Sequence, residues 1–434
     1  MTLLIISPDY ASHLLPLAAL RTAWRDAGER VVVASGPATR DIVRANGFEQ
    51  EDLRLGRGSN PGVIRADQQP RGEDDALRGF FAATRLGMVE TLLFQAQARS
   101  SDLLYNPVEI ARQVQRIVER VRPTDVVVDH LAFSARLGLT TAGVRHADVV
   151  LGHPSALSVG DEVYGFPPAW PRAFSPDTDA LAGLRRLCEE VRDRFTDQWN
   201  AALRQLDPTA TPSADAFAET GDLLLLNYPG ELHDADRTLL LPPHAFLGSA
   251  VREEPQDDQV ARWLAADTKP VVYVSFGSFL SVRGDVLARV AAGLAGLDVR
   301  VAIATGSSAD HELGEVPPGW LVRDVLPQVT LLRSGALAVS HAGNNSVTEA
   351  LTAGVPLLLL PFSTDQFAGA AAVEEAGLGV ALDPNTASVD ELRAAAAHLL
   401  SLPGEARAEL HRLSASLLGR PGPVRALDAL RSTT

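Results

Sequence analysis

One cysteine and one lysine are all that this chain of 434 residues has of either, and each scarcity excludes something. Cys188 alone allows no intrachain disulfide framework and no multi-thiolate metal site; it reads as a small core side chain rather than a nucleophile. Lys269 is the one lysine, and with 39 Lys+Arg against 54 Asp+Glu the formal net charge is −15, so the chain has no overall basic excess. That argues against a general nucleic-acid or anionic-membrane binder. Any anionic ligand must be held by local dipoles and a few donors. Long apolar runs are missing too: nothing approaches the ~18 consecutive apolar residues of a membrane span. Met1–Ser7 has no basic n-region and reads as a first strand rather than a signal peptide. The expectation is a cytoplasmic protein.

What is present is ordinary in bulk, at 46% hydrophobic and 21% charged, as in soluble globular proteins. The length exceeds the usual size of one core, so two domains are expected. Short apolar runs alternate with longer amphipathic stretches: Leu3–Ile6, Val31–Ala34, Val126–Val128, Val149–Leu151 and Leu223–Leu226, then Val271–Val274, Val299–Ala304, Leu337–Val339 and Val355–Leu360. Continuous rather than alternating runs imply strands buried on both faces, as in parallel sheets flanked by helices. The class is therefore α/β, doubly wound, and the two series imply two Rossmann-like domains. Residues 243–258 have the composition of a linker, giving domains 1–242 and 259–418 and a tail, 419–434. Gly56–Glu73 reads as a mobile loop. His153–Ser175, with Tyr164, Phe166, Trp170 and Phe174 among several prolines, reads as a proline-stiffened packing loop or as the wall of a cleft.

The densest chemistry lies in Ser340-His341-Ala342-Gly343-Asn344-Asn345-Ser346-Val347-Thr348-Glu349. An apolar strand breaks at His341 and Gly343, then restarts with helical spacing at Val347, Ala350 and Leu351. The first amides of a helix lack intrahelical acceptors, and the macrodipole adds about half a positive charge there. Such an end binds a diphosphate-like anion without lysine. Gly343 lets the backbone approach, while His341, Asn345 and Ser346 add donors. Ser346-x-x-Glu349 also fits a capping box, so Glu349 is either a cap or a ligand residue. Ser363-x-x-Gln366 carries the same ambiguity. Ligands of open α/β sheets bind beyond the carboxyl ends of the strands, and His13, Asp129, Ser275, Gly277, Ser278, His341 and Asp365 all fall there.

Pro327-Gln328, His341-x-Gly343-x-Asn345-Ser346-x-x-Glu349, Gly354-x-Pro356 and Asp365-Gln366 together resemble the donor-binding signature of family-1 glycosyltransferases of the bacterial natural-product type, over about forty residues. The resemblance implies the GT-B architecture: two sheets facing a cleft, with a C-terminal helix crossing back to the first domain. It implies an inverting transfer of a sugar from a UDP- or dTDP-sugar to a hydroxyl of a small, apolar, antibiotic-type metabolite. His13, in His-x-x-Pro, matches the family's general base and Asp129 its partner; Ser12 stands where the family has glycine. His130 is the neighbouring competitor.

The same resemblance gives Ser275, Gly277, Ser278, His341, Gly343, Asn345 and Ser346 to the diphosphate. It gives Val325, Leu326, Gln328 and Glu349 to the nucleoside and Asp365 with Gln366 to the sugar. Tyr164, Phe166 and Trp170 would touch the acceptor. Val325 replaces the tryptophan that commonly stacks on the base, which leaves UDP or dTDP open. Asp177-Thr178-Asp179 and Asp234-Ala235-Asp236 spell the Asp-x-Asp of metal-dependent glycosyltransferases, yet neither follows an apolar strand. No metal and no cofactor is expected, and the chain would be a monomer or homodimer. A nucleotide-sugar 2-epimerase and a non-catalytic nucleotide-sugar-binding helper are the rival readings.

Overall fold

The computed structural model describes residues 1–62, 73–280, 282–306 and 313–432. Two parallel sheets organise them. The first, in the order β3-β2-β1-β4-β5-β6-β7, comprises β1 (Thr2–Ile6), β2 (Arg30–Ser35), β3 (Glu49–Asp52), β4 (Asp125–Asp129), β5 (Ala147–Val150), β6 (Leu223–Leu226) and β7 (His244–Phe246). The second, in the order β10-β9-β8-β11-β12-β13, comprises β8 (Val271–Ser275), β9 (Arg300–Ala304), β10 (Leu321–Arg323), β11 (Gly335–Ser340), β12 (Leu357–Leu359) and β13 (Gly379–Ala381). Both are open, doubly wound sheets, so the α/β reading holds.

All nine apolar runs are strands. The four strands that no run announces, β3, β7, β10 and β13, are the outermost strands of the two sheets. An edge strand is not enclosed like a central one and needs no continuous apolar stretch. β3 reads Glu-Gln-Glu-Asp and is only partly buried. β7 lies inside the stretch expected to be a linker and pairs with β6. The first sheet therefore extends to Phe246, and the connection proper runs from there to the helix Asp258–Ala265. Residues 63–72 of the expected loop Gly56–Glu73 lie outside the described residues.

The chain's end returns to the first domain. The helix Gly404–Gly419 packs on the helix Asn344–Thr352, where Ser414 Oγ donates to the Thr352 carbonyl at 2.7 Å. After a break, the helix Gly422–Ser432 lies on the first domain's opening helices and β7. Ala426 is fully buried there, among Leu14, Leu17, Leu247 and Trp24 of one core cluster. A side chain at Gly422 would meet the Ser249 carbonyl at 2.5 Å, so glycine is what permits the contact. No helix among the described residues is long and apolar enough to cross a membrane.

Ala426→Asp should lower unfolding stability by roughly 3 kcal/mol or more, the scale of an uncompensated buried charge, as read from guanidinium denaturation. A loss below 1 kcal/mol would mean that the tail helix does not stay docked.

Candidate functional site

The loop after β1 leads into the helix Ala11–Leu20, with His13 in its first turn. His13 Nδ1 lies 2.8 Å from Asp129 Oδ2, and Asp129 is the last residue of β4. The other carboxylate oxygen of Asp129 accepts the Leu131 amide at 2.9 Å, which fixes the side chain's angle. Burial opposes charging of the imidazole, but the Asp129 carboxylate, with a smaller contribution from Asp365, raises its pKa above the usual value. His130, the competitor, is buried with Asp148 and Arg136. Asp148 lies 2.8 Å from Arg136 Nε, and Arg136 donates to the His130 carbonyl at 3.0 Å. Burial holds the His130 pKa down. The residue belongs to a structural ion-pair cluster.

Across the cleft, β11 ends at Ser340 and the chain turns through Ala342, whose φ is +63°, into the helix Asn344–Thr352, with Gly343 as N-cap. Two glycines make room for the His341 ring. A Cβ on Gly343 would lie 2.3 Å from His341 Nε2, and one on Gly277 would lie 2.9 Å from Cε1. Burial pulls the His341 pKa down to about 4, so near neutrality the ring is an uncharged donor. Ser275 Oγ accepts the Gly277 amide at 3.3 Å. Ser278 falls in the short helix Gly277–Leu280, its side chain outside the described residues. Asn345 Nδ2 donates to the Ser12 carbonyl, beside His13, at 3.2 Å. The start of the Asn344–Thr352 helix and the imidazole–carboxylate pair therefore meet.

Glu349 is buried, not capping: the helix begins at Asn344, too early for Ser346 to be its cap. Gln328 Nε2 donates to Glu349 Oε2 at 2.5 Å and its Oε1 accepts Ser346 Oγ at 3.3 Å. Arg252 reaches Glu349 at 3.4 Å and Glu254 at 3.3 Å. Burial raises the Glu349 pKa despite Arg252. Glu254 in turn accepts the amides of Val329 and Thr330 at 3.1 and 2.9 Å.

Residues 288–432 match the erythromycin biosynthesis protein CIII-like C-terminal domain. The NDP-glycosyltransferase YjiC of Bacillus subtilis is 28% identical over 151 residues, covering 35% of this chain and 38% of that protein. The UDP-glycosyltransferase CGT of Oryza sativa subsp. indica is 35% identical over 225 residues, 46% of this chain and 47% of that protein. The matched stretch thus spans less than half the length of either relative. The structure of spinosyn rhamnosyltransferase SpnG complexed with thymidine diphosphate superposes with a TM-score of 0.67 at 19% identity, covering 99% of this chain and 100% of the other. That likeness shows a GT-B fold over the whole chain.

The fold is GT-B, and residues 288–432 match the erythromycin biosynthesis protein CIII-like domain.

Several residues of this GT-B chain sit differently from expectation. Tyr164 is buried and stacked on Phe217, ring centroids 3.9 Å apart, inside an aromatic core with Phe133, Phe195 and Trp199. It packs the first domain; a wide ring beside other rings gains more from stacking than from exposure. Phe166 and Trp170 are half-buried against a cluster that includes Phe367 of the second domain, so the proline-rich segment is a packing loop at the domain junction. Leu326 is buried in the second domain's core, whereas Val325 is 61% exposed. Gln366 Oε1 accepts the amides of Phe362 and Ser363 at 3.0 and 3.1 Å, which ties it to its own loop. Asp365 instead crosses the cleft, accepting the His153 amide at 2.5 Å. A Cβ on Gly152 would lie 2.7 Å from that carboxylate.

The first aspartate of each Asp-x-Asp pair is a helix cap: Asp177 Oδ1 accepts the Ala180 amide at 2.9 Å and Asp234 Oδ1 the Arg237 amide at 2.7 Å. Cys188 is buried, its thiol pKa pushed up to about 11. No role was legible in sequence for Arg252, Asn227 or Asn344, all of which reach the site. Asn344 lay inside the motif and could have been asked; Arg252 and Asn227 carry no local signal.

In an NMR titration, His13 should ionise above the usual imidazole value in the wild type. Asp129→Asn removes the attraction and leaves burial, so its pKa should fall below the wild-type value. Identical titrations would show that the pair is not formed in solution.

Proposed function

We propose that this protein is an inverting glycosyltransferase, moving a sugar from a UDP- or dTDP-sugar to a hydroxyl of a small, apolar natural product. What carries the proposal is the His13–Asp129 pair at 2.8 Å, beside the start of the Asn344–Thr352 helix. The acceptor oxygen attacks the anomeric carbon opposite the diphosphate while His13 Nε2 takes its proton. The bond from the anomeric carbon to the diphosphate oxygen breaks, and the nucleoside diphosphate leaves with the electron pair. Asp129, bound to Nδ1, holds the tautomer and stabilises the imidazolium.

The helix amides and the neutral His341 ring would meet the charge that develops on the leaving group, a preorganised electrostatic contribution. Glu349, steadied by Gln328 and Arg252, would take ribose hydroxyls, and Asp365 would take a sugar hydroxyl. Val325, exposed and aliphatic, offers a base no aromatic face, which is compatible with either UDP or dTDP. Neither metal nor cofactor enters this scheme, and the first aspartate of each Asp-x-Asp pair caps a helix instead. The named relatives and neighbours, from erythromycin biosynthesis to spinosyn rhamnosylation, favour an antibiotic-type acceptor.

A panel of UDP- and dTDP-sugars with apolar hydroxylated acceptors, read by mass spectrometry, tests the activity. His13→Ala should cut turnover about 10²–10⁴-fold with nucleotide binding nearly intact, and Asp129→Asn should cut it less. Because the raised His13 pKa must be exceeded for the free base to exist, kcat/KM should climb through that value as pH rises. In Asp129→Asn the limb should move to lower pH. A His13→Ala protein keeping half its turnover would remove His13 from the role. Activity should also survive excess chelator; a loss restored by magnesium would overturn the metal-free scheme.

A further inference from the structure

Four hydrogen bonds fasten the start of the Asn344–Thr352 helix to the first domain. Asn344 Nδ2 donates at 2.8 Å to the Leu151 carbonyl, just past β5, and at 2.8 Å to the Asn227 carbonyl, just past β6. Asn227 Nδ2 donates to Asn345 Oδ1 at 3.1 Å. Asn345 Nδ2 completes the set at the Ser12 carbonyl, 3.2 Å away. Asn344 and Asn227 are both buried. Asn227 Oδ1 also accepts the Ala250 amide at 2.7 Å, in the connection between the sheets, so one side chain bridges the connection and the facing helix.

The Ser12 carbonyl is available for a reason written in the sequence. In the helix Ala11–Leu20 its partner would be the amide four residues on, and that residue is Pro16, which has no N–H. Proline in His13-x-x-Pro16 therefore leaves an acceptor at the first turn, one residue before His13, and a side chain of the opposite domain takes it.

We propose that Asn344 and Asn227, together with the Ser12 carbonyl exposed by Pro16, form an interdomain latch that holds the leaving-group helix and His13 in register. They are positioning residues. With the latch open, water enters the cleft and competes with the acceptor: it attacks the anomeric carbon, His13 takes its proton, and free sugar and nucleoside diphosphate are released. This consequence rests on the transferase function proposed above; the latch itself does not.

Two variants of the full chain separate the latch from simple damage to the fold. Asn344→Asp places a carboxylate in a helix's first turn, which the dipole favours, yet it cannot donate to the two strand-end carbonyls. Pro16→Ala restores an amide that competes for the Ser12 carbonyl, and alanine is the better helix former. For Asn344→Asp, small-angle scattering with UDP present should give a larger radius of gyration than wild type. Its ratio of donor hydrolysis to transfer should rise about tenfold or more, the size expected from two lost buried hydrogen bonds. Pro16→Ala should shift that ratio the same way, less strongly, at an unchanged or higher melting temperature. An Asn344→Asp protein with wild-type scattering and a wild-type ratio overturns the latch. So does a Pro16→Ala protein that melts lower with no change in ratio. If wild type turns over no donor at all, the transferase proposal falls, and the scattering comparison still decides the latch.

Discussion

The amides at the start of the Asn344–Thr352 helix have no acceptors within the helix, and the molecule is arranged around that deficit. A helix start of this kind is electropositive and favours negative charge. The strand before it must end in a turn tight enough to aim the amides outward, hence the positive φ at Ala342 and the absence of side chains at Gly343 and Gly277, where the His341 ring lies. The same helix start also presses on the first domain through Asn344 and Asn345, so the turn that aims these amides also sets the distance between the two halves of the cleft.

Two imidazoles on opposite sides of that cleft are pushed in opposite directions by their surroundings. Both are drawn toward neutrality by burial. His13 has a carboxylate within hydrogen-bond reach and its pKa rises; His341 has no such partner and falls to about 4. One ring is thereby suited to collect a proton near neutral pH and the other to remain an uncharged donor. A third, His130, stands next to Asp129 in sequence, but its side chain belongs to the buried Asp148–Arg136 cluster. Adjacency along a strand end says little about function, because consecutive side chains point to opposite faces.

Much of the fold was legible because a strand enclosed on both faces must be apolar throughout. That is why the central strands announced themselves, while β3, β7, β10 and β13, each at an edge, did not. The site was legible in part. Asp129 and His341 stand at strand ends and His13 and Asp365 at the helix starts that follow, on the side of the sheets where the chain leaves the strands' carboxyl ends. Tyr164 was misread because an aromatic residue in a proline-rich loop has the same sequence signature whether it packs inward or lines a pocket. Glu349 was ambiguous because Ser-x-x-Glu fits a cap wherever a helix might begin, and only the actual start at Asn344 removes that possibility.

The sequence by itself determined the parallel α/β class, the two-sheet organisation and the strand-turn-helix around His341 and Gly343, since each follows from hydrophobic continuity or from the stereochemistry of a few adjacent residues. Tertiary structure alone decided what those pieces touch. Arg252 beside Glu349, Asn227 bridging the connection and the facing helix, and the tail helix on the first domain are contacts between residues distant in the chain. No local pattern encodes such contacts. Pro16 shows the boundary most clearly: the sequence states that the Ser12 carbonyl loses its helical donor, and only the folded chain states that Asn345, more than three hundred residues later, supplies another.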